Sequence, residues 1–224
     1  MACKVLAIVQ ARVGSTRLPG KVLKKINGKP LIEILFHRLS KTKKIDKIIL
    51  ATSESSENDS LTNLIEKRGY DVFRGSENDV LGRCFEAANK YQPKSVVRIT
   101  GDCPIIDPAI IDEVISLYEK ENANYASNIN PPTYPDGLDV EVISMQALEK
   151  AYNQADSDYQ KEHVTPYIIR SDQFSKYYLT HTEDLSRERW TVDEPEDLEV
   201  VTEIFNYFHP RINFSWQEVM QLRK

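Results

Sequence analysis

Two hydrophobic rhythms alternate along the first hundred residues. Lys4 to Val9 is an almost unbroken apolar run of strand length, and a polar, Gly-containing loop follows it. Leu31, Ile32, Leu35 and Leu39 then recur at helical spacing behind the turn Asn27-Gly28-Lys29-Pro30. Lys47-Ile48-Ile49-Leu50-Ala51 forms a second strand pattern, and Leu61, Leu64 and Ile65 mark a second helix ending at Gly69. Val72-Phe73 reads as a short strand, Val80 to Tyr91 as a helix and Ser95 to Thr100 as a strand. Such alternation predicts an α/β fold with a mostly parallel sheet covered on both faces. Ligands of these sheets lie outside the carboxyl ends of the strands. The loops after Val9, Ala51 and Thr100 are therefore the first places to search for chemistry.

The second half has a different texture. Asn124 to Val142 is rich in Tyr, Pro, Asn and Asp and contains the turn Pro135-Asp136-Gly137, which predicts a hairpin or β-arm insertion. Ser144 is placed to cap a helix running to Ala155. Lys176 to Thr180 and Arg189 to Val192 read as strands, and Pro195 suits the first turn of a helix reaching Tyr207. No internal repeat or low-complexity linker interrupts the chain, so residues 1–224 are expected to form one domain.

The formal net charge of −5 argues against general nucleic-acid binding, which leaves a basic footprint, while allowing a local basic pocket. No apolar run approaches the roughly 20 residues that span a bilayer. The start MACKVLAIVQAR lacks the features of a secretory signal. Three cysteines, Cys3, Cys84 and Cys103, fit neither a zinc site nor a disulfide framework, so a reducing, cytoplasmic setting is expected.

The most informative stretch is Gln10-Ala11-Arg12-Val13-Gly14-Ser15-Thr16-Arg17-Leu18-Pro19-Gly20-Lys21, directly after the first strand. Glycines let the backbone approach an anion, Arg12 and Arg17 offer bidentate forks, and Lys21 supplies a point charge. Together they suit a triphosphate. A Walker A motif has a shorter glycine spacing and a hydroxyl residue after its Lys, whereas Val22 follows Lys21 here. The competing reading is a solvated basic loop. Asp102, in Gly101-Asp102-Cys103-Pro104, leaves a buried strand and can hold Mg²⁺ through oxygen or shape an Asx turn. Cys103 has no implied base and is not expected to be a nucleophile.

The loop ARVGSTRLPGK resembles the nucleotide-binding signature of cytidylyltransferases that make CMP-activated sugars, and most of all the spore-coat polysaccharide proteins of that class. Similar segments are GDCPIIDP at 101–108, YPDGLDVEV at 134–142, EHVTPYI at 162–168 and WTVDEPEDL at 190–198. The resemblance implies a Rossmann-like domain of the glycosyltransferase-A type, usually dimeric, using CTP and Mg²⁺ with a sugar-like acceptor. It also implies that Asp193 is a second metal ligand beside Asp102; from its own context, Asp193 could equally serve a helix start. Thr100 and Cys103 depart from the pattern of the synthetases for the eight-carbon sugar acid Kdo, which weakens any case for that acid as acceptor. Val80 stands where those synthetases carry a basic contact near the nucleoside, which Arg83, one helical turn on, could replace; the alternative is a surface Arg behind a capped helix start.

The candidate nucleotide site is then Gln10, Arg12, Gly14, Ser15, Arg17, Lys21, Thr52, Asp79, Arg83 and Thr100, with Arg12, Lys21 and Asp102 as the catalytic set. Asp79 or Asn78 would also cap the helix behind it. In Leu138-Asp139-Val140-Glu141-Val142 the alternation sends the apolar residues inward and Asp139 and Glu141 outward. With Asp136 and His163 these acids form the candidate acceptor site, the alternative being a solvated strand face. The other enzymatic readings are a uridylyl- or guanylyltransferase and a glycosyltransferase consuming a nucleotide-sugar. The non-enzymatic one is a nucleotide-binding regulator.

Overall fold

A computed structural model describes residues 3–222 of the chain. The strands are β1 (Val5–Gln10), β2 (Lys25–Ile26), β3 (Lys29–Pro30), β4 (Lys47–Ser53), β5 (Asp71–Gly75), β6 (Ser95–Thr100), β7 (Tyr125–Ser127), β8 (Glu141–Ser144) and β9 (Lys176–Tyr178). The α-helices are α1 (Leu31–Leu39), α2 (Asp59–Lys67), α3 (Val80–Tyr91), α4 (Pro108–Lys120), α5 (Met145–Gln154), α6 (Asp158–His163), α7 (Pro166–Arg170), α8 (Pro195–Phe208) and α9 (Trp216–Leu222). β2 and β3 make a separate ribbon; the other strands form one sheet in the order β5–β4–β1–β6–β8–β7–β9. β8 alone runs against its neighbours β6 and β7, and the remaining pairings are parallel.

Alternation along β1 divides the core. Val5, Ala7 and Val9 face one apolar layer with Leu35, Ile111 and Val201, whereas Leu6 and Ile8 face another with Leu81, Leu148 and Ile168. Every residue of β1 is buried, as expected for a central parallel strand. The chain moves outward from β1 through β4 to β5, then returns to β1's other side as β6. That reversal opens a crevice at the carboxyl ends of β1 and β6, where Gln10 and Thr100 are partners in register.

The segment 124–142 is rooted in the main sheet, and its middle, Asn130 to Pro132, is exposed. Its two ends pair antiparallel, Tyr125 with Ile143, within that sheet, and Tyr125 and Asn128 are buried. Arg189 to Val192 is not a strand. Arg189 makes an isolated bridge to Asp136, and Val192 N–H donates to the Asp102 carbonyl at 2.8 Å, so two different partners divide the segment. Ser144 caps α5 as expected, accepting from Ala147 N–H at 3.1 Å. Among the described residues no helix is long and apolar enough to cross a membrane.

Candidate active site

A cleft of about 770 Å³ opens at the carboxyl ends of the central strands, lined by the loop after β1, the 76–80 segment before α3, the exit of β6, and α6. The β1 loop is held from below. Val13 N–H donates to Asn58 Oδ1 at 2.8 Å, and Asn58 in turn donates to Ser53 Oγ at 2.8 Å. Gly20 closes the loop in the left-handed region, φ 68°, with its N–H on the Val13 carbonyl at 3.1 Å. Gly101 is required for a different reason: a Cβ there would lie 2.5 Å from the Ala11 Cβ, so only glycine lets the β6 exit touch the loop.

Lys21, Asp102 and Asp193 form the centre of the cleft. The Lys21 ammonium donates to Asp102 Oδ2 and Asp193 Oδ1, each at 2.8 Å. Burial alone would lower the Lys21 pKa, but the two carboxylates outweigh it and hold the ammonium above its ordinary value. Asp193 is pulled below the usual carboxylate range: burial opposes this, but Lys21, Arg17 and Arg189 prevail. Backbone bonds bring these acids together from distant parts of the chain. Val192 N–H and Thr191 Oγ1 both donate to the Asp102 carbonyl.

The helix-start reading of Asp193 is displaced by its neighbours. The N–H groups of Asp193 and Glu194 both donate to Asp197 Oδ2, at 2.8 and 2.9 Å, so Asp197 closes the first turn of α8 and the Asp193 carboxylate stays in the cleft. Arg189, which sequence reasoning missed, spans Asp136 at 2.7 Å, Asp193 at 2.8 Å and Asp197 at 3.0 Å. Arg17 reaches Asp193 at 3.0 Å and Arg12 reaches Glu77 at 3.0 Å, both half-exposed at the rim.

Gly14, Ser15, Asp79, Arg83, Thr100 and His163 also line the cleft. Asp79 caps α3 through Gly82 N–H at 2.8 Å, so one of its oxygens serves the helix. Arg83 is buried, which lowers its pKa, and its guanidinium bonds to the Ser76 carbonyl, so it shapes the 76–77 turn from the cleft wall. Gln10 lines the floor, but its side-chain Oε1 accepts from Arg98 Nε at 2.7 Å and its Nε2 is shut away from solvent.

Two expectations are corrected. Thr52 is fully buried in β4 and does not line the cleft, because the strand continues one residue beyond it to Ser53. Glu141 does not face an acceptor. It is 3% exposed, its Oε1 accepts from Tyr125 Oη at 2.6 Å, and its Oε2 accepts from Arg98 Nη1. The alternation failed here because β8 lies inside the sheet, with protein on both faces. Asp139 does reach solvent, and Asp136 is held by Arg189. Cys103 is buried and its thiol is raised well above the ordinary value by burial and then by Asp102 and Asp139, as suits a spectator thiol.

The profile of the cytidylyltransferase family matches residues 6–215. The spore coat polysaccharide biosynthesis protein SpsF of Bacillus subtilis is 33% identical over 97% of this chain and 93% of its own. MJ1063 of Methanocaldococcus jannaschii, a protein without an assigned role, is 42% identical over 92% of this chain and 84% of its own. A solved cytidylyltransferase from Leptospira borgpetersenii superposes with a TM-score of 0.93 at 32% identity, covering 98% of this chain and 93% of that one. With its fold, its basic loop and its paired acids, the chain belongs to the cytidylyltransferase family.

Proposed function

We propose that this protein transfers CMP from CTP to a hydroxyl of a sugar-like acceptor, releasing pyrophosphate, in the synthesis of surface polysaccharide or a related glycoconjugate. The observation that carries the proposal is the single ammonium of Lys21 held at 2.8 Å from both Asp102 and Asp193, directly behind the Arg12–Arg17 loop. Arg12, Arg17 and Lys21 would neutralise the β- and γ-phosphates, each leaving a carboxylate partner for a phosphate. The acceptor oxygen attacks the α-phosphorus, the bond to the bridging oxygen of the β-phosphate breaks in line, and the hydroxyl proton passes to solvent. Orientation in the cleft and charge neutralisation supply the rate.

The donor set fits Mg²⁺: Asp102 and Asp193 present hard carboxylate oxygens to one common cation position, the number that Mg²⁺ typically takes alongside phosphates. When bound, the ion would add charge neutralisation at the phosphates and lower the pKa of a nearby hydroxyl. Asp139 and His163 are the remaining groups proposed for the acceptor, and the active assembly is proposed to be a homodimer, which a monomer in sedimentation at micromolar concentration would contradict.

The test is pyrophosphate release from each of the four nucleoside triphosphates with Mg²⁺ and a panel of sugar acids, aminosugars and neutral sugars. Release with CTP and one acceptor class, without any nucleotide-sugar, is the expected result. Preferential use of UTP or GTP would reassign the base, and transfer only from a nucleotide-sugar would make the protein a glycosyltransferase.

A further inference from the structure

Beneath the cleft a line of polar side chains crosses four adjacent strands. Tyr125 on β7 donates to Glu141 on β8 at 2.6 Å; Arg98 on β6 donates to the other oxygen of Glu141 and, through Nε, to Gln10 Oε1 on β1 at 2.7 Å. Each bond fixes the next group. Glu141 has both oxygens engaged. An arginine has no acceptor, so the Gln10 amide must turn its oxygen toward Arg98. The Arg98 guanidinium is thereby held on two sides, at Nε and at Nη1. Its third nitrogen, Nη2, has no hydrogen-bond partner among the described residues, and it is not among the side-chain atoms closed off from solvent. Arg98 lines the cleft, so Nη2 is the part of this fixed fork that faces the ligand space.

We infer that Arg98 is a substrate-contacting, specificity-determining residue, donating from Nη2 to an uncharged oxygen of the acceptor sugar. The inference rests on the transfer reaction proposed above. In-line displacement places the attacking oxygen opposite the departing pyrophosphate. The leaving phosphates belong to the loop of Arg12, Arg17 and Lys21, so the acceptor enters from the part of the cleft away from that loop. Arg98 is on β6, between β1 and the antiparallel β8, and lines the cleft together with Lys161 and His163 of α6. Its charge is already met by the buried Glu141, which favours a hydroxyl or an amide carbonyl over a second carboxylate. Gln10 is a positioning residue, acting through Arg98.

The experiment uses Arg98→Lys, which keeps a cation opposite Glu141 but loses the fork, and Gln10→Met, which leaves the ion pair intact. Calorimetry gives CTP and CMP affinities, and pyrophosphate release gives KM and kcat for the acceptor found active with the wild type. Arg98→Lys should raise the acceptor KM by about tenfold or more, from one charged hydrogen bond. Its CTP and CMP affinities should stay within about twofold of wild type. Gln10→Met should raise the acceptor KM by a smaller factor with kcat nearly unchanged. An unmoved acceptor KM in both variants, or a loss of CTP and CMP affinity equal to the loss for the acceptor, overturns the inference while leaving the transfer reaction standing. Absence of pyrophosphate release by the wild type with every acceptor overturns the transfer reaction and the inference together. If Arg98→Lys fails to fold, the Gln10→Met result alone decides: a KM within twofold of wild type rejects the assignment.

Discussion

The cleft rim and the cleft floor use the same chemical vocabulary to opposite ends. At the rim, Arg12, Arg17 and Arg189 pair with acids that keep contact with water, and Arg17 and Arg189 each have more than one acidic partner. In the floor, the side chains of Arg98 and Glu141 are 17% and 4% exposed and are closed in by Tyr125 and Gln10. Rim pairs exchange partners at small cost, because solvent screens them and compensates each lost contact. A floor pair has no such outlet: removing one member strands the other in a low dielectric. Rim charges are therefore available to phosphates, and floor charges hold the shape on which those phosphates and the acceptor sit.

The largest expected effect breaks the floor. Glu141→Gln leaves the Arg98 guanidinium without a counter-charge and should cost about 3–5 kcal/mol of stability in urea unfolding. Replacing both partners together, Arg98→Met with Glu141→Leu, should recover most of that loss, since an apolar pair needs no desolvation. A single variant within about 1 kcal/mol of wild type would show that water reaches the pair and that floor and rim do not differ in kind.

The second effect is functional and belongs to the centre of the cleft, between rim and floor. Lys21→Ala should cost less stability than Glu141→Gln, because the side chains of Asp102 and Asp193 are 25% and 18% exposed and Arg17 and Arg189 still serve Asp193. It should weaken CTP binding by about tenfold to a hundredfold through the loss of charged hydrogen bonds, and CMP binding far less. Equal losses for CTP and CMP in calorimetry would remove Lys21 from the β- and γ-phosphates.

These two regions were not equally legible from sequence. The rim could be read because its chemistry is local: the loop from Gln10 to Lys21 carries glycines and cations within one short stretch, directly after an apolar strand. Most of the helix and strand periodicities of the first half were also legible, since each buries one face against a continuous core. What sequence could not supply was depth and partnership. Glu141 alternates with valines as a half-exposed strand residue would, and only its place in mid-sheet buries it. Thr52 fits a loop-proximal position until the extra residue of β4 is seen. Arg189 gathers Asp136, Asp193 and Asp197 across turns that no period encodes. One clue was present, a lone arginine in the apolar run Val96-Val97-Arg98-Ile99, since a charge inside a central strand demands a buried partner.

The smallest expected effect lies where rim and floor meet, at Asp139. Its side chain reaches solvent, but the surrounding wall strips much of its water, and the carboxylates of Asp136 and Glu141 add repulsion that Arg98 only partly offsets. Burial first and these like charges second raise its pKa to about 7. In the unfolded chain the same group titrates near its ordinary value of about 3.9. Between pH of about 4 and 7 the folded protein therefore holds a proton that the unfolded chain has released, and stability falls as pH rises through that window. Asp139→Asn removes the titration. The variant should lose this part of the pH slope and should gain on wild type more at pH 8 than at pH 5, as read from urea midpoints at the two values. Because the group keeps contact with water, the gain should be smaller than the loss from Glu141→Gln. If wild type and variant keep the same spacing at both pH values, Asp139 titrates as a freely solvated rim acid and the boundary between the two regions lies deeper, at Arg98 itself.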